Sequence, residues 1–367
     1  MQEANSPLPE DNASPLPVSR MRHYADILNP LFWDDAFNRV DLTFEVVCTL
    51  VRANGMRDTG WDSYYESLAL LEDLKNLQLI DLPSDKFPHP ENTQARVALI
   101  SYCHITEMNL PYELLANLLR LRTGRKYSTE PFAHLATPII RKKVLKRIKP
   151  AAPEKKIAEI EELSMKAGLP DVGRALRGIY DPVIRNAVYH SDYALHDGSM
   201  RLLSGWHYSQ KDGCNTPLIT FASLAEVTSE AFAFHSALIA LYKRACKSFT
   251  SFRDMCLPFD SRYKGLLEFT FDGDLLTGFR AYWPNGFIST YGRDDDGRSH
   301  AQNLTFEKDG SINFMVGYLA NRPGTFSPCV EADGVPNYAK VPGTEKTPYW
   351  PAKLEAFSLT RFANPIS

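Results

Sequence analysis

The sequence predicts an α+β protein in which a mainly helical bundle is followed by a small antiparallel β domain. Before Leu257, apolar residues recur mostly at helical spacing. From there they alternate, as at residues 266–271, and Asn-Gly and Asp-Gly pairs mark tight turns. A chain of 367 residues also exceeds one typical domain. We therefore divide it into a disordered tail (1–20), a helical domain (21–257) and a β domain with an irregular end (258–367).

Composition excludes several classes of protein. The net charge of -3 does not indicate a protein that binds nucleic acid through its overall charge, so any RNA affinity must come from local basic patches. The six cysteines form no C-x-x-C pair, which argues against a zinc site and a disulfide framework and favours a reducing cytosol. The sequence contains no apolar run of about eighteen residues, so it predicts no membrane span. The tail lacks the pattern of a signal peptide.

Amphipathic patterns place the helices of the body. The predicted helices lie, in order, at residues 42–51, 61–77, 93–121 with a break near Pro111, 155–167 and 223–249. Ser223-Leu-Ala-Glu226 matches a capping box and predicts the start of the last helix. His235 lies on an apolar face of that helix, so we interpret it as a core residue rather than a catalytic one.

Residues 141–149 (RKKVLKRIK) are densely basic. We interpret them as a helix with Val144, Leu145 and Ile148 facing inward. Its outer face is either a phosphate-contacting surface or an ordinary solvated face, and the two interpretations are compatible. The candidate RNA contacts in this segment are Arg141, Lys142, Lys143, Lys146 and Arg147.

Residues 181–193 combine a helix start with a polar cluster. Asp181 suits the N-cap, and Pro182 suits the first helical position, where a missing N–H costs nothing. Ile184, Ala187 and Val188 recur at helical spacing and are expected to face a core.

Three polar residues, Arg185, Asn186 and His190, remain on this helix. Asn186 and His190 lie on one face about one turn apart. Arg185 reaches the imidazole only through its long stem, or by meeting a second copy of the helix.

Asp197-Gly198 predicts a β-hairpin near residues 193–203, so the helix is expected to end at about His190.

The string DPxxRNAxxHSDY resembles the R-[N/H/D]-x3-H signature of the HEPN superfamily (higher eukaryote and prokaryote nucleotide-binding domains). Arg185, Asn186 and His190 occupy the three positions of the signature. The resemblance covers the motif and, more loosely, residues 22–250. Many members of this family are metal-independent ribonucleases, and the family is thought to build its site between paired motif helices.

The residue types suit RNA cleavage without a metal. An imidazole can take the proton from a 2'-OH or deliver one to the leaving 5'-oxygen. The fork of Arg185 matches phosphate oxygens and stays charged, and Asn186 can bind phosphate or hold the imidazole. One copy offers only His190, so two copies are needed to supply an acid and a base. Tyr189 and Tyr193 are candidates to stack on bases, although packing explains each equally well.

The resemblance implies a metal-independent endoribonuclease whose composite active site lies at a homodimer interface. It further implies a cytoplasmic toxin or abortive-infection (phage-defence) effector that cuts RNA, with an antitoxin or regulatory partner. No cofactor, metal or membrane is expected, and Asp294-Asp-Asp-Gly297 is interpreted as a hairpin turn rather than a calcium loop. The alternative is a non-catalytic HEPN-like scaffold that binds a nucleotide or a protein.

Overall fold

The computed structural model describes residues 18–32, 43–53, 64–77, 80–83, 85–141, 144–209, 214–260, 265–283, 288–293, 297–307 and 309–315. The described helices are α1 (Val18–Phe32), α2 (Thr43–Val51), α3 (Tyr64–Leu77), α4 (Pro90–Glu107), α5 (Asn109–Arg122), α6 (Pro153–Lys166), α7 (Pro170–Gly178), α8 (Pro182–His190) and α9 (Phe221–Ser248). The described strands of the first two-thirds of the chain are β1 (Thr137–Arg141), β2 (Val144–Lys149), β3 (Tyr193–His196), β4 (Ser199–Leu202), β5 (His207–Ser209), β6 (Cys214–Thr216) and β7 (Leu218–Thr220). Those that follow α9 are β8 (Cys256–Asp260), β9 (Gly265–Asp272), β10 (Leu275–Tyr282), β11 (Ile288–Arg293), β12 (Ser299–Gln302), β13 (Leu304–Phe306) and β14 (Ile312–Phe314). Helices dominate the first part and antiparallel strands the second, which confirms the α+β class.

Three details of the helices differ from the prediction. Helix α1 begins at Val18, inside the predicted tail, and residues 1–17 lie outside the described residues. Helix α7 was not predicted as a separate helix. The capping box at Ser223 is wrong, because the side chain of Thr220 accepts the hydrogen bond of the Ser223 N–H at 3.1 Å and so caps α9 earlier.

Helix α9 is the centre of the hydrophobic core. Phe232, Phe234 and Leu238 are fully buried there, and α9 packs against α1 and α4. By length and composition alone, the stretch that includes α9 could cross a membrane, but 67% of its most apolar window is buried inside the protein. Most of this stretch is therefore packed in the core.

The strands that follow α9 form a five-stranded antiparallel sheet in the order β12-β11-β10-β9-β8. This sheet packs on α2 and α9, where the rings of Phe44 and Phe279 meet edge to face with centroids 5.4 Å apart. Arg293 of β11 donates to the carbonyl oxygens of Val51 (2.7 Å) and Arg52 (3.0 Å) at the end of α2. The sheet and the helices therefore share one continuous core.

The basic segment is not a helix, which corrects the prediction. Strands β1 and β2 pair as an antiparallel hairpin in which Thr137 faces Lys149 and Arg141 faces Val144. Ile148 is 61% exposed instead of facing inward. The physical reason is the β-branched content of residues 137–149, in which Thr137, Ile139, Ile140, Val144 and Ile148 favour strands over a helix.

This basic hairpin (137–149) places Arg141, Lys146 and Arg147 on strands, whereas Lys142 and Lys143 lie outside the described residues.

Candidate active site at the motif helix

Helix α8 begins as its sequence predicts. The Asp181 carboxylate accepts hydrogen bonds from the N–H groups of Val183 (2.8 Å) and Ile184 (3.0 Å), which confirms the N-cap. Pro182 is the first helical residue, and Ile184 and Ala187 are buried. One face of this short helix is thus fixed in the core.

The other end of α8 is closed by a left-handed residue. Ser191 has φ 53°, and its N–H donates to the Val188 carbonyl at 3.2 Å. The Asp192 N–H donates to the Ala187 carbonyl at 2.8 Å. These paired bonds form a Schellman closure, so His190 is the last helical residue, as predicted.

The hairpin predicted after α8 is confirmed. Strands β3 and β4 pair around Asp197 and Gly198, which both have positive φ (46° and 68°), as a tight hairpin turn requires. Strand β7 extends the pair to three strands. Tyr193, at the start of β3, is half-buried and packs against the core.

Arg185 is held from three sides. Its Nε donates to Oε1 of Glu107 at 2.8 Å, and its Nη2 forms an ion pair with the same carboxylate. Its Nη1 donates to Oδ1 of Asn186 at 2.9 Å, and the guanidinium carbon lies 4.3 Å from the centroid of the Tyr189 ring. Burial acts to lower the pKa of Arg185, but the hydrogen bond and charge of Glu107 outweigh it, so the pKa is raised. The guanidinium is therefore a firmly fixed cation.

Asn186, Tyr189 and His190 are exposed, so the outer face of α8 is open to solvent. The structure brings Asn186 to the guanidinium of Arg185 instead of the imidazole. Within the part of the chain that the structure describes, no hydrogen bond or ion pair involves the His190 ring. The ring is thus accessible for proton transfer to a ligand.

In the described sheets, the two strands of the basic hairpin, β1 and β2, pair only with each other. The structure therefore joins Arg185, Asn186 and Tyr189 into one cluster, with His190 at the end of the same helix. It does not join them to Arg141, Lys146 or Arg147 through any described strand pairing.

Sequence reasoning missed the carboxylate that holds Arg185. Glu107 is the last residue of α4 and lies 78 positions before Arg185 in the chain. An acidic residue at the end of a helix carries no local signal that would identify its distant partner.

A second missed feature is a strap, which we define as residues 203–207, that follows α8 from end to end. At one end, the Leu203 N–H donates to the Asp192 carbonyl at 3.1 Å. At the other, Nδ1 of His207 lies 2.7 Å from Oδ2 of Asp181. Between these anchors Trp206 is 63% exposed. The strap therefore presents a large aromatic ring beside the motif helix.

The charge of Asp181 is well stabilised. Burial raises the pKa of Asp181, but hydrogen bonds from His207 and from the N–H groups of Ile184 and Val183 outweigh it, and the net effect is a lowered pKa. The N-cap of α8 is thus an anion at neutral pH.

Other candidate sites are weaker. His235 is 1% exposed, and its Nδ1 lies 2.7 Å from the Ala231 carbonyl oxygen, which confirms a core role. Among the described residues, no group of three His, Cys, Asp or Glu side chains is arranged to hold a metal. Asp294, Asp295 and Asp296 lie outside the described residues.

Comparisons with protein families, with curated proteins and with solved structures found no match to this chain.

Proposed function

We propose that the protein is a metal-independent endoribonuclease of the HEPN type, with an active site shared by two copies of α8. The observation that carries the proposal is the placement of a fixed guanidinium and an exposed imidazole on one short helix. Arg185 and His190 both lie on α8, whose opposite face is anchored in the core. Substrate can therefore approach both groups from solvent.

Arg185 keeps donors for a phosphate. Of the five N–H groups of a guanidinium, three donate to Glu107 and Asn186, which leaves two, one on each terminal nitrogen. Two such donors suit two phosphate oxygens, and the cation offsets the charge that develops on the phosphorane. Arg185 is thus the electrostatic element of the proposed site.

His190 supplies the proton transfers. Cleavage through the 2'-OH requires a base for the nucleophile and an acid for the leaving 5'-oxygen. Because each chain has one motif histidine, the two roles fall to His190 of two subunits related by a two-fold axis. The exposed face with Asn186 and Tyr189 is the surface on which the second helix would pack. The products would carry a 2',3'-cyclic phosphate or 3'-phosphate and a 5'-hydroxyl.

In the cell, we propose that the protein acts in the cytoplasm as a toxin or abortive-infection effector, under the control of an antitoxin or regulatory partner. Tyr189 and the basic hairpin, with Arg141, Lys142, Lys143, Lys146 and Arg147, are the proposed contacts for RNA. The resemblance to HEPN ribonucleases and the exposed motif histidine support this role.

The test is cleavage of single-stranded RNA in the presence of a chelator, with analysis of the product ends. We expect Arg185→Ala and His190→Ala each to lower the rate by about 100-fold or more. Matched controls are Arg174→Ala and His196→Ala, which remove an exposed arginine from α7 and an exposed histidine from β3. Absence of cleavage by the wild type, or an undiminished His190→Ala variant, would overturn the proposal.

The shared site has its own test. Sedimentation analysis should show a dimer, and specific activity should fall on dilution below its dissociation constant. A strictly monomeric protein that still cleaves RNA would show that the two histidines do not cooperate.

The alternative is a non-catalytic scaffold, and one feature favours it. A cavity of about 400 Å³ lies between α3, α4 and α9, with Leu82, Ala98 and Leu224 among its walls. This volume falls in the range of ligand sites.

Growth on expression separates the two functions. A catalytic toxin slows growth and Arg185→Ala relieves the effect, whereas a scaffold is indifferent to that substitution.

A further inference from the structure

Glu107 makes a polar contact to the motif helix from a distant part of the chain. It ends α4, which packs against α8, and its Oε1 accepts from Nε of Arg185 at 2.8 Å and from Nη2 of the same side chain. We infer that Glu107 is a positioning residue that holds Arg185 in the orientation needed to bind a phosphate. This inference rests on the proposed ribonuclease function.

The contacts of the guanidinium use one of its edges fully and leave donors on the terminal nitrogens. Glu107 occupies the edge formed by Nε and Nη2, and Asn186 takes one N–H of Nη1. The two N–H groups that remain are those of the terminal nitrogens. With Tyr189 covering one face of the group, the side chain is fixed in direction while its terminal donors stay free for substrate.

Stability does not account for this arrangement. The side chains of Arg185 and Glu107 are 24% and 29% exposed, and ion pairs in such partly solvated positions contribute little to folding. A fixed direction matters for catalysis, because without the carboxylate Arg185 keeps only its contacts with Asn186 and Tyr189, samples more rotamers and binds phosphate in only some of them.

The charge of Glu107 also balances a second cation. Burial lowers the pKa of Lys156 at the start of α6, and the negative charges of Glu113 and Glu107 partly oppose that effect. Glu107 therefore lies near two cations, Arg185 and Lys156. Glu107→Gln keeps an acceptor oxygen but removes the charge, so this variant separates hydrogen-bond geometry from charge.

The chain offers a matched control. Glu161 of α6 accepts from Nε (3.2 Å) and Nη2 (2.7 Å) of Arg177 in the same arrangement, and those side chains are 37% and 33% exposed for Arg177 and Glu161. Glu161→Ala removes an equivalent ion pair away from the motif. Any effect that Glu107→Ala shows and Glu161→Ala does not is specific to the site.

The experiment compares kcat and KM for RNA cleavage in the wild type, Glu107→Ala, Glu107→Gln and Glu161→Ala. We expect Glu107→Ala to lower kcat by about 10- to 100-fold with little change in KM or in the unfolding midpoint. Glu107→Gln should fall between it and the wild type, and Glu161→Ala should match the wild type. A second readout is the NMR signal of the Arg185 Nε–H group, which should shift and broaden in Glu107→Ala.

The outcomes distinguish this inference from the proposed function. If Arg185→Ala is inactive but Glu107→Ala cleaves as fast as the wild type or faster, positioning by Glu107 is wrong and the ribonuclease remains. An Arg185 Nε–H signal that is unchanged in Glu107→Ala also overturns the positioning role. If the wild type cleaves no RNA, the proposed function fails and the role of Glu107 fails with it.

Discussion

Helices α8 and α9 each carry a histidine, but they place it in opposite surroundings. His190 is the last residue of a nine-residue helix and is exposed, whereas His235 lies inside a 28-residue helix and is 1% exposed. Burial lowers the pKa of His235 to about 4, and the hydrogen bond with the Ala231 carbonyl only partly opposes this. Position within the fold, rather than residue type, therefore decides which imidazole is available for chemistry.

The largest expected effect is the loss of RNA cleavage when His190 is replaced, which replacement of His235 should not cause. His190→Ala should lower kcat for RNA cleavage by about 10²- to 10⁴-fold, because a general acid or base is lost. Its free energy of unfolding should change by no more than about 0.5 kcal/mol, as is usual for an exposed site. His235→Leu should keep the wild-type kcat per folded molecule. Single-turnover kinetics combined with urea unfolding would measure both quantities.

The opposite result for the two histidines would contradict this prediction. A His235→Leu protein that is fully folded but inactive would place the essential imidazole in the core and refute the assignment to α8.

The next expected effect concerns the pH dependence of stability. The pKa of His235 is lower in the folded protein (about 4) than in an unfolded chain (about 6.5). The unfolded state therefore binds more protons between these values. The stability is full above pH 6.5 and is lost as the pH falls toward 4, by about 3 kcal/mol. Urea unfolding of the wild type and His235→Leu at pH 5 and pH 7 should show a smaller loss in the variant.

His190→Ala is the control for this measurement. It removes an exposed histidine instead of a buried one, so the difference between the two variants reports the burial of His235. If His235→Leu loses as much stability at pH 5 as the wild type, other groups cause the dependence.

The sequence predicts α8 well because its signals are local. Asp181 and Pro182 specify its start, and the Asp197-Gly198 turn specifies the hairpin after it. These features depend on neighbouring residues. The buried environment of His235 also follows from the apolar pattern around it.

The surroundings of the motif were not predictable in the same way. Glu107 and His207 reach α8 from distant parts of the chain, and no spacing in the sequence encodes those contacts. The prediction of a helix at residues 141–149 was wrong for a different reason. The basic residues are typical of a solvated helix face, whereas five of residues 137–149 are β-branched and favour strands.

A smaller effect is expected at the N-cap of α8. Asp181→Ala removes the acceptor for the N–H groups of Val183 and Ile184 and the partner of His207, and should cost about 1–2 kcal/mol. Because the pKa of Asp181 is lowered in the folded protein, this contribution is present above about pH 4 and is lost as the pH falls further. Urea unfolding at pH 7 and pH 3 would measure it.

Asp171→Ala provides the control for the cap. Asp171 is exposed and pairs with Arg174 in the first turn of α7, so its loss should cost less than about 1 kcal/mol. Equal losses for the two variants at pH 7 would show that the hydrogen bonds at Asp181 add nothing to the stability of α8.

The smallest expected effect compares the C-terminal ends of α8 and α9. Ser191 closes α8 with φ 53°, a conformation that glycine adopts without strain, whereas Ser248 ends α9 with φ -60°. Ser191→Gly should therefore raise the free energy of unfolding by about 0.5–1 kcal/mol. Ser248→Gly should lower it by about the same amount, because glycine in a right-handed helical position only adds flexibility to the unfolded chain. Urea unfolding of both variants measures the two changes, and equal signs would mean that Ser191 is not strained. Ser191→Gly should also keep its RNA cleavage, since His190 remains the last residue of a helix whose closing hydrogen bonds are retained.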